Sequence, residues 1–374
     1  MVLSELLPGA EPQRRQAIRA DFEQQMQAAH LALNGESLHS YCAQENFCRE
    51  FVASAVQRYQ SVVGTGQRIF IAVNLFNSER VLPNMATQLL AFSEALGRQR
   101  IFLSIYENGS TDRTKSILRG FDETLRSLEI PHCIIADPRP RPRSYHRIDY
   151  MAHIRNRALQ PLYEQEGVYE RVVFLNDIFF CLPDLFELLL QSRVHRAHLT
   201  CGEDFELRHG ILEFYDTWVS RDLLGRAFRG RYQNIADDGR ALVGQLRNRP
   251  YQVQCCWNGL AVIDARVFYG AASLRFRRSG HGECSASECS LLCNDMWRAG
   301  YNRTLIVPRV KVAYSIQARD QLRQPSRFPR DQPFSDRAPA EMAFGPGPAA
   351  VYCHPLNGMD TDVPDGPATY TPLL

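Results

Sequence analysis

The chain has 374 residues, 45% of them hydrophobic and 22% charged, enough for one large core or two modest ones, which excludes disorder throughout. Forty-three Lys plus Arg against forty-one Asp plus Glu leave a formal charge of +2, so the whole molecule offers no attraction to nucleic acid or anionic membrane. The opening MVLSELLPGAEPQRRQAIRADF lacks the order of a signal peptide, and no window holds roughly 18 uninterrupted apolar residues; no leader or membrane span is expected, and the default location is cytoplasmic, or Golgi if an anchor lies outside this sequence.

Residues 1–66, rich in Gln, Ala, Arg and Glu, predict a helical N-terminal extension. RIFIAVNLF then reads as a strand carrying Asn74, and Pro83 opens a helix whose Met85, Leu89, Phe92 and Leu96 share a face before Gly97 stops it. IFLSIYE, residues 101–107, is a second strand, and NGSTDRT leads into a helix with Ile117, Leu118, Phe121, Leu125 and Leu128 at helical spacing. HCIIAD is the third strand. A loop with Pro138, Pro140 and Pro142 and a helix with Arg155, Asn156 and Arg157 precede the fourth, VVFLNDIFF, which ends on Asn176-Asp177.

Repeated strand, helix, strand predicts an α/β fold with a single Rossmann-like, mainly parallel sheet covered on both faces, whose ligands gather at the carboxyl ends of the strands. Residues 67–190 form the first half of the predicted domain. Residues 191–317, with HLTCGEDFE, FYDTWVSRD, YQVQCCWNGLAVIDA, a helix near 287–299 and the strand TLIVPRVKVAYS, form a looser second half, the expected pocket for a second substrate. Residues 318–374 are a proline-rich tail expected to wrap the surface or move. Eleven cysteines match no zinc spacing, and their odd number favours buried thiols over a disulfide scaffold.

Three features carry chemistry. The turn YENGSTDRT places Glu107 and Asp112 around small residues, which lets backbone approach a ligand while a carboxylate accepts from a base or ribose; the same residues also make an ordinary turn and helix cap. Asp177 supplies a hard oxygen ligand at a strand end, where a divalent Mg2+ or Mn2+ takes one or two carboxylates and fills its other positions with substrate phosphates. The plain alternative is a cap for the helix that begins near Pro183. Glu288 opens an amphipathic helix, at the site of positive helix potential or as a routine first-turn acid. Arg155 and Arg157 do not share a helix face, so one of them, Arg155, is the candidate for meeting phosphates.

In this order the features resemble a nucleotide-sugar-dependent glycosyltransferase of the single-sheet, metal-using GT-A type, in which an acidic pair lies twelve residues before Gly-Tyr, as Glu288 lies before Gly300-Tyr301; Cys289 stands at the pair's second position. VNLFNSERVLP, SIYENGSTDRTK, IRNRALQPL, FLNDIFF, CGEDFE, FYDTWVSRD, CCWNGLAVIDA and ECSLLCNDMW, spread over residues 67–317, resemble the fungal capsule-associated α-1,3-mannosyltransferases of the cryptococcal type, glycosyltransferase family 69. The resemblance implies GDP-mannose as donor, retention of anomeric configuration and a hydroxyl-bearing acceptor, whether glycan, lipid or small metabolite. It implies Asn74, Glu107, Asp112 and Arg155 on the nucleotide, Asp177 on the metal, and Glu203, Asp204 and Asp216 on acceptor hydroxyls. Trp218 or Trp257 would be the stacking face, although Asp216 also suits a cap and both tryptophans suit a core. Glu288 or Asp204 is the candidate carboxylate beneath the anomeric carbon. Another nucleotide sugar, or a catalytically silent homologue that scaffolds a partner, are the rival expectations.

Overall fold

The computed structural model describes residues 10–38, 56–271, 273–322, 341–355 and 369–373. Two helices, α1 (Ala10–Asn34) and α2 (Val56–Val63), precede β1 (Ile69–Leu75), α3 (Leu82–Leu96), β2 (Ile101–Asn108), α4 (Thr114–Ser127), β3 (His132–Asp137), α5 (Arg147–Tyr163) and β4 (Arg171–Leu175). The second half runs α6 (Leu182–Val194), β5 (Leu199–Arg208), β6 (Ile211–Phe214), α7 (Gly239–Leu246), β7 (Tyr251–Gln252), β8 (Leu260–Asp264), α8 (Glu288–Arg298), β9 (Thr304–Ala313) and α9 (Ile316–Leu322). A hairpin of β10 (Ala350–Cys353) and β11 (Thr369–Pro372) follows.

The strands form a nine-stranded sheet in the order β3-β2-β1-β4-β8-β5-β9-β7, with β6 beside β5. Strands β3, β2, β1 and β4 are parallel; β8 is antiparallel to both β4 and β5, so β5 and its parallel neighbour β9 run in the same direction as β4. The sheet is therefore mostly parallel, as expected, with β8 reversed at its centre. Alternation along β1 divides the core: Ile69, Ile71, Val73 and Leu75 face the layer of α1, α3, α4 and α6, while Phe70 and Ala72 face that of α5 and α8.

Reversal of β8 brings the turn before it, Asn258-Gly259, to the edge where the parallel strands end. Both residues are left-handed, φ 54° and 70°, and a Cβ at Gly259 would lie 2.8 Å from Ile178 Cγ2, so a glycine is required for this turn to press against the end of β4. There the Asn176 amide donates to the Gly259 carbonyl at 2.8 Å.

The cysteines correct the expectation of buried thiols. Cys201 is bonded to Cys256, Cys255 to Cys293 and Cys284 to Cys353, while Cys133 and Cys289 are free. The described part of the tail wraps the surface as expected: its hairpin is joined to the loop before α8 through Cys284–Cys353 and receives Arg221 Nε on the Tyr352 carbonyl at 2.7 Å. Residues 323–340 and 356–368, where most of the tail's prolines fall, lie outside the described residues.

The N-terminal helix α1 packs into the first core layer. Phe22 is buried and stacks on Phe121 of α4 with ring centroids 5.5 Å apart. Phe22→Ala is expected to lower unfolding stability by about 3 kcal/mol, the cost of emptying an aromatic core site. Urea unfolding of the intact chain measures it, and a change below about 1 kcal/mol would show that α1 adds little to the fold.

Candidate active site

At the carboxyl edge the side chains converge on Arg155. Its helix, α5, covers the second face of the sheet, and the guanidinium points inward beneath the end of β4. Nε donates to Glu288 Oε1 at 2.8 Å and Nη1 to Asn176 Oδ1 at 3.3 Å. The rings of Trp257, Phe174 and Phe276 surround the cation at 4.9, 5.2 and 5.6 Å from their centroids. Arg155 and Glu288 are almost fully buried, so the attraction between them acts with little screening. Ser287 caps α8 by accepting from the Cys289 amide, which fixes the helix start that carries Glu288.

Beside this pair stands Asp177, with a different environment. It does not cap α6, whose first turn is closed by Cys181 and Asp184. Its carboxylate accepts from its own amide and feels the Arg155 charge, but burial dominates and pushes its pKa up to about 6. Asn176, one residue earlier, is held by Arg155, by Trp257 Nε1 at 3.4 Å and by Tyr314.

Tyr314, which follows β9, links this centre to a second group of acids. Its hydroxyl donates to Asp204 Oδ2 at 3.1 Å, and the Asp216 amide donates to Asp204 Oδ1 at 3.2 Å. Asp216 accepts from the amides of Asn258 at 3.1 Å and Val219 at 3.3 Å. Asn258 in turn donates to the Gly202 carbonyl and accepts from Ser220 Oγ, both at 2.7 Å. Burial, then the neighbouring Asp216, raises the Asp204 pKa well above the usual carboxylate range.

At the far end of the same edge lie the remaining sequence candidates. Asn74 donates to the Ile154 carbonyl at 3.0 Å, and its Oδ1 is buried without a partner. Glu107 is fully buried; Oε1 accepts from the Ser110 amide and Oε2 has Lys115 Nζ 4.0 Å away. Asp112 is occupied on both oxygens, accepting from the amides of Thr114 at 2.9 Å and Glu79 at 3.1 Å. It therefore fills the turn-and-cap role and clasps the loop after β1 to the loop after β2.

Two acceptor candidates stand elsewhere than expected. Glu203 alternates with Asp204 along β5, which sends it into the opposite layer, fully buried against Lys311 at 3.6 Å and Tyr251 at 3.4 Å. Trp257 is 2% exposed and serves as a wall around Arg155, so its plain core reading holds. Trp218 is half-buried, with the Arg147 guanidinium 5.7 Å and the His354 ring 6.2 Å from its centroid. Sequence reasoning missed Tyr314 and Asn258. The Asn-Gly dipeptide marked a turn at 258–259, but only the reversed β8 shows that the turn faces Asp177.

The family described as Cryptococcal mannosyltransferase 1 matches residues 68–295, from β1 into α8 and including Arg155, Asp177, Asp204, Asp216 and Glu288. The chain belongs to that family. It is 28% identical over 337 residues, 79% of this chain and 70% of the relative, to Alpha-1,3-mannosyltransferase CMT1 of Cryptococcus neoformans var. neoformans serotype D. Among solved structures it is similar to Staphylococcus aureus TarS 1–349 at 13% identity and TM-score 0.40, covering 67% of this chain and 60% of that one. It is similar also to the mannosyltransferase PcManGT from Pyrobaculum calidifontis, solved with GDP-Man and Mn2+, at 14% identity and TM-score 0.42, covering 77% and 68%. As a member of the mannosyltransferase family the chain is a glycosyltransferase, and no helix among its described residues is long and apolar enough to cross a membrane.

A divalent ion fits this transferase only in an open form. Among the described residues no three His, Cys, Asp or Glu side chains converge, so a closed protein cage is absent there. Asp177 alone has the chemistry of a hard ligand whose remaining positions are filled by substrate phosphates.

Two measurements test the electrostatics. Arg155→Met is expected to cost about 3–5 kcal/mol of stability by leaving the Glu288 charge buried, and the double variant Arg155→Met/Glu288→Leu to recover much of that loss; additive losses in denaturant unfolding would deny the coupling. Asp177 holds its proton in the folded state to about pH 6 rather than 3.8, so stability is lost as pH rises through that window. Asp177→Asn is expected to raise the melting temperature at pH 8, gaining up to about 3 kcal/mol less what partial exposure restores, and to flatten the stability profile between pH 4 and 6.

Proposed function

We propose that this transferase moves mannose from GDP-mannose to a hydroxyl of an acceptor, on a GT-A sheet, with a divalent Mn2+ or Mg2+ held at Asp177 and with retention of configuration. The observation that carries the reading is the isolation of Asp177. It is a partly exposed carboxylate at the carboxyl edge with no side-chain donor among the described residues, beside Glu288, Asp204 and Asp216, which are engaged. Leaving such a group desolvated costs stability and is retained where a cation meets it.

The guanosine end is supported by two buried acceptors at neighbouring strand ends, Asn74 Oδ1 without a partner and Glu107 Oε2 with only Lys115 at 4.0 Å. Such acceptors complement the N–H groups of guanine better than the acceptor-rich edge of uracil. Phe76, just past β1 and 48% exposed, supplies an aromatic face next to them. Bound there, the ion would offset the negative charge that grows on the departing diphosphate.

In the reaction the bond from the anomeric carbon to the β-phosphate oxygen breaks and the bond to the acceptor oxygen forms. Both candidate nucleophiles are committed elsewhere: Glu288 is gripped by Arg155, and Asp204 is fully buried with one oxygen on the Tyr314 hydroxyl and the other on the Asp216 amide. This favours attack on the same face as departure, with the leaving diphosphate taking the acceptor's proton. Arg155 then acts through Asn176 and Glu288, keeping the end of β4 in place, rather than on phosphate. For location, the disulfides Cys201–Cys256, Cys255–Cys293 and Cys284–Cys353 support a Golgi or other oxidising lumen over the cytoplasm, since such bonds persist where thiols are not kept reduced.

A thermal-shift series over GDP-mannose, GDP and UDP-sugars with manganese tests the reading. GDP compounds are expected to stabilise the parent protein in a manganese-dependent way, by about 2.7 kcal/mol at one hundred times Kd. Asp177→Asn is expected to lose the manganese dependence while remaining folded. Stabilisation by UDP compounds alone would overturn the donor, and donor binding without hydrolysis or transfer would favour the silent homologue.

A further inference from the structure

The exposed face of the second acid group carries an aromatic ring that the reading above does not use. Tyr215 follows β6 and is 40% exposed, yet it is held firmly. Its amide donates to the Asp204 carbonyl at 3.0 Å, and its carbonyl accepts from the Thr217 amide at 2.9 Å. Its ring lies on Tyr314 with centroids 4.4 Å apart, and Tyr314 is itself tied to Asp204 and Asn176. The Arg208 guanidinium sits 5.4 Å from the Tyr215 centroid, exposed, with no hydrogen bond or carboxylate partner among the described residues. The Tyr215 phenol is disfavoured from ionising by burial first and then by the charges of Asp204, Asp177 and Asp216, which places the ring within electrostatic reach of both acid groups.

A large aromatic ring left partly in water, braced from behind by Tyr314 and beside an exposed guanidinium, has the make-up of a pyranose-binding surface. The C–H face of a sugar packs on the ring, while hydroxyls at its rim meet charged donors and acceptors. We propose that Tyr215 is the platform on which the acceptor sugar stacks, with Arg208 donating to that sugar's hydroxyls. The assignment rests on the mannosyl-transfer reading and adds to it the two residues that would hold the acceptor. Trp257 is buried and so offers no stacking face, whereas Tyr215, unlike Trp218, is packed against the Tyr314 ring that joins Asp204 to Asn176.

Initial rates with GDP-mannose and manganese, using methyl α-D-mannopyranoside and a long-chain alcohol as alternative acceptors, test the platform. For the pyranoside, Tyr215→Ala is expected to raise the acceptor KM about tenfold and leave the KM for GDP-mannose unmoved, Tyr215→Phe to restore the parental value, and Arg208→Gln to raise the acceptor KM severalfold. An unmoved acceptor KM in Tyr215→Ala, or equal rises in both KM values, overturns the platform while the transfer reading stands. Preference of the parent protein for the alcohol overturns it as well. Absence of any turnover of GDP-mannose by the parent protein would sink the transfer reading and the platform with it.

Discussion

A guanidinium closed off from water must have its charge answered on the spot, and much of this site follows from how Arg155 meets that requirement. One carboxylate, one amide oxygen and three aromatic faces surround it, contributed by α8, the end of β4, the segment before β8 and the stretch after the short helical turn at 265–268. Segments far apart in sequence are thereby fixed to one point, because loss of any polar partner leaves a buried charge exposed to a low dielectric. The cost of desolvation makes the pair a poor source of net stability. Its value lies in geometry: Asn176 cannot turn without breaking a charge-assisted bond, and Asp177 is the next residue.

The acids at this edge divide by what their neighbours already ask of them. Glu288 neutralises Arg155, Asp112 closes a helix start, Asp216 receives two amides, and Asp204 accepts from the Tyr314 hydroxyl and the Asp216 amide. Glu203 is drawn into the other layer by Lys311. Asp177 differs in having nothing but its own amide and a distant guanidinium to stabilise its charge. Burial pushes Glu203, Asp204 and Asp216 toward their neutral forms as well, but each has hydrogen-bond donors other than its own amide in place, which Asp177 lacks among the described residues.

Much of the first half was legible in the sequence because local and global signals agree there. Pro83 and Gly97 bracket α3, the apolar runs of β1, β2 and β4 need cover on both faces, and a mostly parallel sheet is the arrangement that satisfies them. The same logic placed Asp177 at the carboxyl edge. It failed on β8, since LAVID reads as a buried strand whichever way it runs, and direction decides whether Asn258 or Asp264 reaches the site. Glu203 and Asp204 are adjacent in sequence but face opposite layers, and no composition signal says which of the two faces the cleft. Cysteine parity misled for a related reason: pairing depends on distances between strands and helices, and an odd total with free Cys133 and Cys289 says nothing of the rest.

The disulfides complete the constraint that begins at Arg155. Cys255 and Cys256 are neighbours in the chain, yet one is bonded to Cys293 on α8 and the other to Cys201 on β5, so the segment leading into Trp257, Asn258 and Gly259 is tied to two different elements. That segment supplies a wall of the arginine site, an amide to Asp216 and the carbonyl that holds Asn176. Were it free to move, water would reach Asp177, its pKa would fall toward that of an ordinary aspartate, and the energetic reason for it to seek a cation would weaken. Covalent closure around the turn keeps the carboxylate partly dry, and the same closure holds Asn258 against Asp216. One short segment thus holds both the end of β4 and Asp216, and the reversal of β8 is what delivers that segment to the carboxyl edge of the parallel strands.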